Sequence, residues 1–299
     1  MAKSPFNLVE LIDRYNCDDR CRDTLEMLRW PTGVCCTRCG DMNVYELEKH
    51  NRWRCRGCNY QFSVTSQTIM HDSHLPLRKW FLAIYLMVES RKGMSANQLK
   101  RTLGINYRTA WYLCHRIREA MGNAPMEGPS LVGIVEVDET LIGGKAKGKG
   151  RGYRDNKTLV AGALQRDGEI RLERVPNVKR ATLHDFIHRT VKDEAEAIYT
   201  DELKSYLGIG DENTRHEIVN HSEEIWVVGD VHTNGIENAW SLFKRSIIGA
   251  FHKMSEKHMD RYLEEFEWRF NNRKNPHIFM DTLRRIVQTD PMTYRELVA

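Results

Sequence analysis

The feature that most constrains this chain is a pair of C-x2-C knuckles, Cys36-Thr37-Arg38-Cys39 and Cys55-Arg56-Gly57-Cys58, with fifteen residues between them. Two sulfurs at this spacing can reach one ion from a tight turn, and four thiolates close a tetrahedron. Gly40 after the first knuckle and Gly57 inside the second permit those turns. The pattern predicts a ribbon built around one structural zinc ion, since no coordination position is left open for a substrate. Cys35 adjoins Cys36 and could replace it with a three-residue spacing, but matched knuckles favour Cys36. Cys17 and Cys21, four apart on an expected helix, and the isolated Cys114 are assigned to the core.

Nothing in the sequence calls for a membrane. The longest apolar run, residues 80–88, has nine residues, where a span needs about 20. The start Met-Ala-Lys-Ser-Pro lacks the apolar stretch of a secretory leader. A cytoplasmic chain is expected, which also favours metal-bound thiolates over disulfides.

The net charge of +4 conceals an uneven distribution. Residues 51–122 hold 12 basic and 3 acidic side chains, while the rest of the chain is slightly acidic. Such a segment suits displacement of counterions from phosphates. Within it, apolar spacing predicts a helix from Leu75 onward. A second helix follows, capped by Ser95 and stopped by Gly104, and a third runs through Met121. With Ala96, Leu99, Leu103, Ala110, Leu113 and Ile117 facing inward, the last two helices form a helix-turn-helix pattern. Tyr107, Arg108 and Thr109 then open the second helix of that pair, the part that meets base edges in DNA.

Beyond a turn-rich linker at 122–129 the periodicity changes. Strands are expected over 131–138, 158–165, 169–175, 197–201 and 215–219, and helices over 181–192, 235–247 and 255–272. Three strands, a crossover helix, further strands and more helices make a mixed sheet covered on both faces. Asp138 and Asp201 fall at strand ends and Glu237 in the first turn of a helix. Oxygen donors gathered from separate elements favour two Mg2+ or Mn2+ ions, which suit in-line phosphoryl displacement. Each acid has a plainer reading. Asn234 and Glu237 fit a capping box, the two aspartates could simply end strands, and Glu139 and Glu202 are adjacent rivals. A Gly-rich loop carrying Lys145, Lys147, Lys149 and Arg151 follows Asp138 and suits a phosphate backbone.

Asp138, Asp201 and Glu237, with 35 residues between the last two, resemble the acidic triad of DDE transposases and retroviral-type integrases. Lys244 lies two helical turns after Glu237, where a basic residue often follows that glutamate. The strings Trp30-Pro-Thr-Gly33, Val137-Asp-Glu-Thr-Leu-Ile-Gly-Gly144, Tyr199-Thr-Asp201 and His232-Thr-Asn-Gly-Ile-Glu-Asn-Ala-Trp-Ser-Leu-Phe-Lys-Arg245 are similar to those of zinc-ribbon transposases of prokaryotic insertion sequences. The resemblance implies a catalytic domain like ribonuclease H. It implies double-stranded DNA as partner, both transposon ends and target, with cleavage and strand transfer by a homo-oligomer associated with the nucleoid. Because some relatives have Asn at the third position, Asn234 stands as rival or auxiliary to Glu237. Departures from the pattern are Thr37, where a proline is usual, and Gly235 between Asn234 and Ile236.

The expected architecture is therefore multidomain α/β. It comprises an N-terminal helical segment (1–29), a zinc ribbon (30–65), a helix-turn-helix segment (66–125), a ribonuclease H-like mixed-sheet domain (126–275) and a C-terminal helical tail (276–299).

Overall fold

The structure, a computed structural model, describes residues 7–122, 130–143, 157–219, 231–252 and 254–299. The chain forms two compact units, one of Met1–Ala124 with Asn272–Ala299, the other of Pro125–Asn271. The loop basics Lys145, Lys147, Lys149 and Arg151 lie outside the described residues.

The first unit opens with α1 (Leu8–Arg14), closed at its start by a reciprocal box between Asn7 and Glu10. In α2 (Asp18–Arg29), Cys21 is buried, but Cys17 precedes the helix as its exposed N-cap. The core assignment thus holds for Cys21 and fails for Cys17, because the helix begins one residue after it. Strands β1 (Val44–Leu47), β2 (Arg52–Cys55) and β3 (Gln61–Phe62) form an antiparallel sheet in that order. Next, α3 (Leu77–Glu89) buries Trp80, Phe81, Ile84, Tyr85 and Val88, as its 3.6-residue spacing requires. In α4 (Ala96–Leu103) the Ser95 side chain accepts the Gln98 N–H, and Gly104 takes the left-handed φ of 61° that ends the helix. Asn106 starts α5 (Tyr107–Gly122) by accepting the Thr109 N–H at 2.8 Å.

The second unit contains β4 (Ile134–Ile142), β5 (Thr158–Gln165), β6 (Ile170–Arg174), α6 (Arg180–Thr190), β7 (Ala197–Thr200), β8 (Arg215–Ile218), α7 (Asn234–Ser246) and α8 (Met259–Asn271). Its five strands lie in the order β6-β5-β4-β7-β8. The first three are antiparallel neighbours, and β4, β7 and β8 run parallel. The two-residue alternation of side chains then builds two cores. Val135, Val137, Ala161, Ala163 and Ile198 pack against Leu183, Phe186 and Ile187 of α6. On the opposite face Ile142, Val160 and Leu164 meet Ile236, Trp240 and Phe243 of α7 and Leu263 and Phe266 of α8. The open edge of β6 is occupied by side chains of α8: Asn271 pairs with both backbone groups of Ile170, and Glu267 accepts the Leu172 N–H.

The last helices, α9 (Ile278–Gln288) and α10 (Tyr294–Val298), belong to the first unit rather than standing free. Phe279 of α9 sits about equally far from Phe81 and Tyr85, at ring-centre distances of 5.9 and 6.0 Å. Arg285 donates to the Met121 carbonyl at 2.6 Å. Among the described residues no helix is long and apolar enough to cross a membrane.

Candidate metal centres and nucleic-acid face

The ribbon brings Cys36, Cys39, Cys55 and Cys58 together with all four Sγ atoms within 4.8 Å of one another. Three of the pairs are 3.5 to 3.6 Å apart. A tetrahedral zinc with bonds of about 2.3 Å requires sulfur separations of about 3.8 Å, so the donor set fits zinc with little adjustment. Cys36, not its neighbour Cys35, completes the quartet. Burial opposes ionisation of Cys36, yet the Cys39 and Arg38 backbone N–H groups outweigh it and hold the thiol below its ordinary range, while Cys39 is pushed up, against the Asp41 backbone N–H, by the neighbouring Cys58, Cys36 and Cys55 sulfurs. Gly40, at φ 75°, turns the chain out of the first knuckle.

The acids occupy the sheet face covered by α7. Even-numbered residues of β4 point there, so Asp138 does and Glu139 does not. Glu139 instead accepts a hydrogen bond at 2.6 Å from the buried Tyr206 hydroxyl. The parallel register of β4 and β7 aligns Glu136 with Tyr199, and continuing it by two residues sets Asp201 beside Asp138. Asp201 directly follows β7 in a tight turn, where Oδ1 accepts the Leu203 N–H at 3.0 Å. Asp138, expected at a strand end, lies instead in the middle of β4, because pairing with β5 continues to Ile142. Glu237 is exposed in the first turn of α7. Thr233 holds the N-cap position without a side-chain cap hydrogen bond, and Asn234 is the first residue of the helix rather than its cap. Thr233 also donates its hydroxyl to Glu237 Oε1 at 3.0 Å.

Burial, followed by the charges of Glu139, Asp201 and Glu237, pushes the Asp138 carboxyl up to about 7. Burial also raises Glu139, opposed by the Tyr206 hydrogen bond. Asn234 and Lys244 are both exposed, three residues before and seven after Glu237.

The basic segment is less uniform than its sequence implies. Arg116 and Arg118 are buried, and Arg116 lies over the rings of Trp80 and Tyr112. At the start of α5, Tyr107 and Arg108 are exposed and Thr109 is half-buried. Arg108 stacks on the ring of Tyr294 from α10, 4.1 Å from its centre. Three residues near the acids went unassigned from sequence: Glu136, Arg166 and Tyr199. The one signal available was a carboxylate at 136 in an otherwise apolar strand, with the same parity as Asp138.

A four-thiolate ribbon followed by a mixed sheet that carries one acid mid-strand on β4, a second just past β7 and a third on the covering helix suits one class, that of transposases with an N-terminal zinc ribbon. The transposase zinc-ribbon domain family matches residues 17–61, and the ISXO2-like transposase domain family matches residues 130–271. A protein of transposable element ISH50 from Halobacterium salinarum is 28% identical over 292 residues, covering 90% of this chain and 96% of the relative. A transposase-like protein from Haemophilus influenzae is 38% identical over 98 residues, covering 33% of this chain and 77% of the relative. The chain belongs to the ISXO2-like transposases that carry a zinc ribbon.

Proposed function

We propose that the protein is a metal-dependent DNA transposase that recognises the inverted repeats at the ends of its own insertion sequence, cleaves there and joins the freed 3′ hydroxyls to target DNA. This reading is carried by the parallel register that aligns Asp138 with Asp201 on the sheet face beneath α7, whose first turn bears Glu237; the charges of Asp201 and Glu237 both act on Asp138. The 3-2-1-4-5 arrangement of the sheet, with three antiparallel strands followed by two parallel ones, supports a ribonuclease H-like catalytic domain.

In this reading the three carboxylates hold two Mg2+ or Mn2+ ions. Bound ions of this kind activate an attacking oxygen and stabilise a leaving one. Asp138 and Asp201 contribute from adjacent parallel strands and Glu237 from the facing helix. Asn234 is auxiliary to them, and Lys244, on the Glu237 side of α7, meets a DNA phosphate. α4 and α5 act as a helix-turn-helix, with Tyr107, Arg108 and Thr109 towards the bases. The loop lysines 145, 147 and 149 and Arg151 follow the DNA backbone. The protein works in the cytoplasm at the nucleoid as a homo-oligomer that pairs two ends.

Mg2+-dependent cleavage of a DNA fragment carrying the element's own repeats tests the reading. Asp138→Asn, Asp201→Asn and Glu237→Gln should each abolish cleavage while repeat binding persists. Full cleavage by Glu237→Gln combined with loss in Asn234→Ala would transfer the third role to Asn234.

A further inference from the structure

Arg166 follows β5 directly, and its side chain reaches β4, β7 and the segment that leads into α7. Its Nε donates to Glu136 Oε1 at 3.0 Å, and its Nη2 donates to the His232 carbonyl at 3.1 Å. The guanidinium carbon lies 4.9 Å from the centre of the Tyr199 ring. Each contact falls just ahead of an acid. Glu136 precedes Asp138 by two residues on the same face of β4, Tyr199 precedes Asp201 by two on β7, and His232 lies two residues before α7, which presents Glu237.

Glu136 completes the arrangement. Its side chain is 1% exposed, a costly place for a carboxylate unless it is well partnered. Beyond Arg166 it accepts the Ile236 backbone N–H on Oε2 at 2.9 Å, and His232 Nδ1 lies 3.4 Å from Oε1. Ile236 immediately precedes Glu237, so Glu136 satisfies one of the open N–H groups at the start of α7 and places its negative charge at the positive end of the helix. The approach is close: a Cβ on Gly235 would lie 2.7 Å from Glu136 Oε2, which accounts for glycine between Asn234 and Ile236.

A planar guanidinium fork holds its partners at fixed angles, which a lysine ammonium cannot reproduce. The backbone ladder keeps β4 and β7 in register without help. Nothing in that ladder fixes where α7 begins relative to them. We infer that Arg166 and Glu136 are positioning residues that brace the start of α7 against β4 and β7 and so set Glu237 at its distance from Asp138 and Asp201. The inference rests on the reading of those three acids as ligands of divalent ions.

The test uses the full-length protein with Mn2+ as probe. Mn2+ binding is followed by the electron paramagnetic resonance signal of the free ion, and cleavage of end-bearing DNA is measured across a Mn2+ series. Asp138→Asn serves as reference, with Arg166→Lys, Arg166→Ala and the isosteric Glu136→Gln as the variants of interest. Asp138→Asn should lose Mn2+ binding. Arg166→Lys and Glu136→Gln should weaken it by about 10- to 100-fold, the usual cost of losing a group that orients a metal ligand. They should raise the Mn2+ needed for half-maximal cleavage by the same factor and recover most of the rate at saturating Mn2+. Lower melting temperatures with unchanged Mn2+ dependence would overturn the inference, because a purely structural brace behaves that way. Should Arg166→Ala fail to fold, Glu136→Gln decides alone. Wild-type Mn2+ affinity in Asp138→Asn would instead sink the reading of the triad, and the inference with it.

Discussion

Asp138 lies directly opposite Gly162 in the β4–β5 ladder, and the bare backbone at Gly162 is what lets α7 approach the acid. A Cβ there would meet Trp240 Cζ2 at 2.6 Å and Cη2 at 2.8 Å. Trp240 is buried on α7 three residues after Glu237, so its ring has little room to move. Gly162→Ala should therefore cost about 1 to 3 kcal/mol of stability and reduce cleavage more than DNA binding. Urea melts of the two proteins measure the first effect, and an unchanged midpoint would show that α7 yields freely.

The ribbon makes a prediction at a single atom. Cys35 is outside the quartet and Cys36 inside it, so Cys35→Ser should retain one equivalent of zinc and Cys36→Ser should lose it. Metal content of the purified proteins by mass spectrometry decides between them. Because the ribbon is small, loss of zinc should unfold it and leave the β4–β8 sheet intact, giving separate rather than joint unfolding transitions.

Asp138 supplies a pH dependence whose sign follows from linkage. Its folded carboxyl titrates at about 7 instead of 3.8, raised first by burial and then by its acidic neighbours. Between those values the folded protein holds a proton that the unfolded chain has released, so stability falls as pH rises from about 4 to about 7. In chelator, Asp138→Asn should match the wild type near pH 4 and melt higher at pH 8. Divalent ions should restore the wild type at pH 8 without helping the variant. Parallel melting curves at both pH values would refute the assignment of the shift.

Arg108 stacks on Tyr294 and stands exposed at the start of α5. If it meets a phosphate, Arg108→Ala should weaken repeat binding evenly across sequences and reduce the salt slope by about one. If it reads a base, the loss should be about 1 to 3 kcal/mol and confined to one position of the repeat. Binding isotherms at several salt concentrations, on matched and single-substituted repeats, separate the two. No change in either would take α5 out of the interface.

Much of the molecule was legible in the sequence because its signals are local. The strand at 158–165 was expected with the bounds the structure gives β5, since a short apolar run flanked by polar residues has few alternatives. Strand parity alone sent Asp138 and Glu139 to opposite faces. Charge counting fared less well at Arg116 and Arg118: a basic residue is tallied the same whether it faces solvent or, as Arg116 does, lies over Trp80 inside a helical core. The capping-box reading of Asn234 and Glu237 does not hold, because Asn234 is the first helical residue and Glu136, which no local pattern reveals, accepts the Ile236 N–H.

By itself, then, the sequence determined the cysteine quartet, the order and type of the elements and the faces on which the acids fall, since each depends on spacings of a few residues that backbone geometry converts directly into direction. Tertiary structure alone decided that Arg166 would touch Glu136, Tyr199 and the His232 carbonyl ahead of α7, and that α9 and α10 would pack into the N-terminal unit. Those contacts join residues that are far apart in the chain. They exist only once parallel register, helix docking and the closing of long loops have fixed the elements together, which no short-range periodicity encodes.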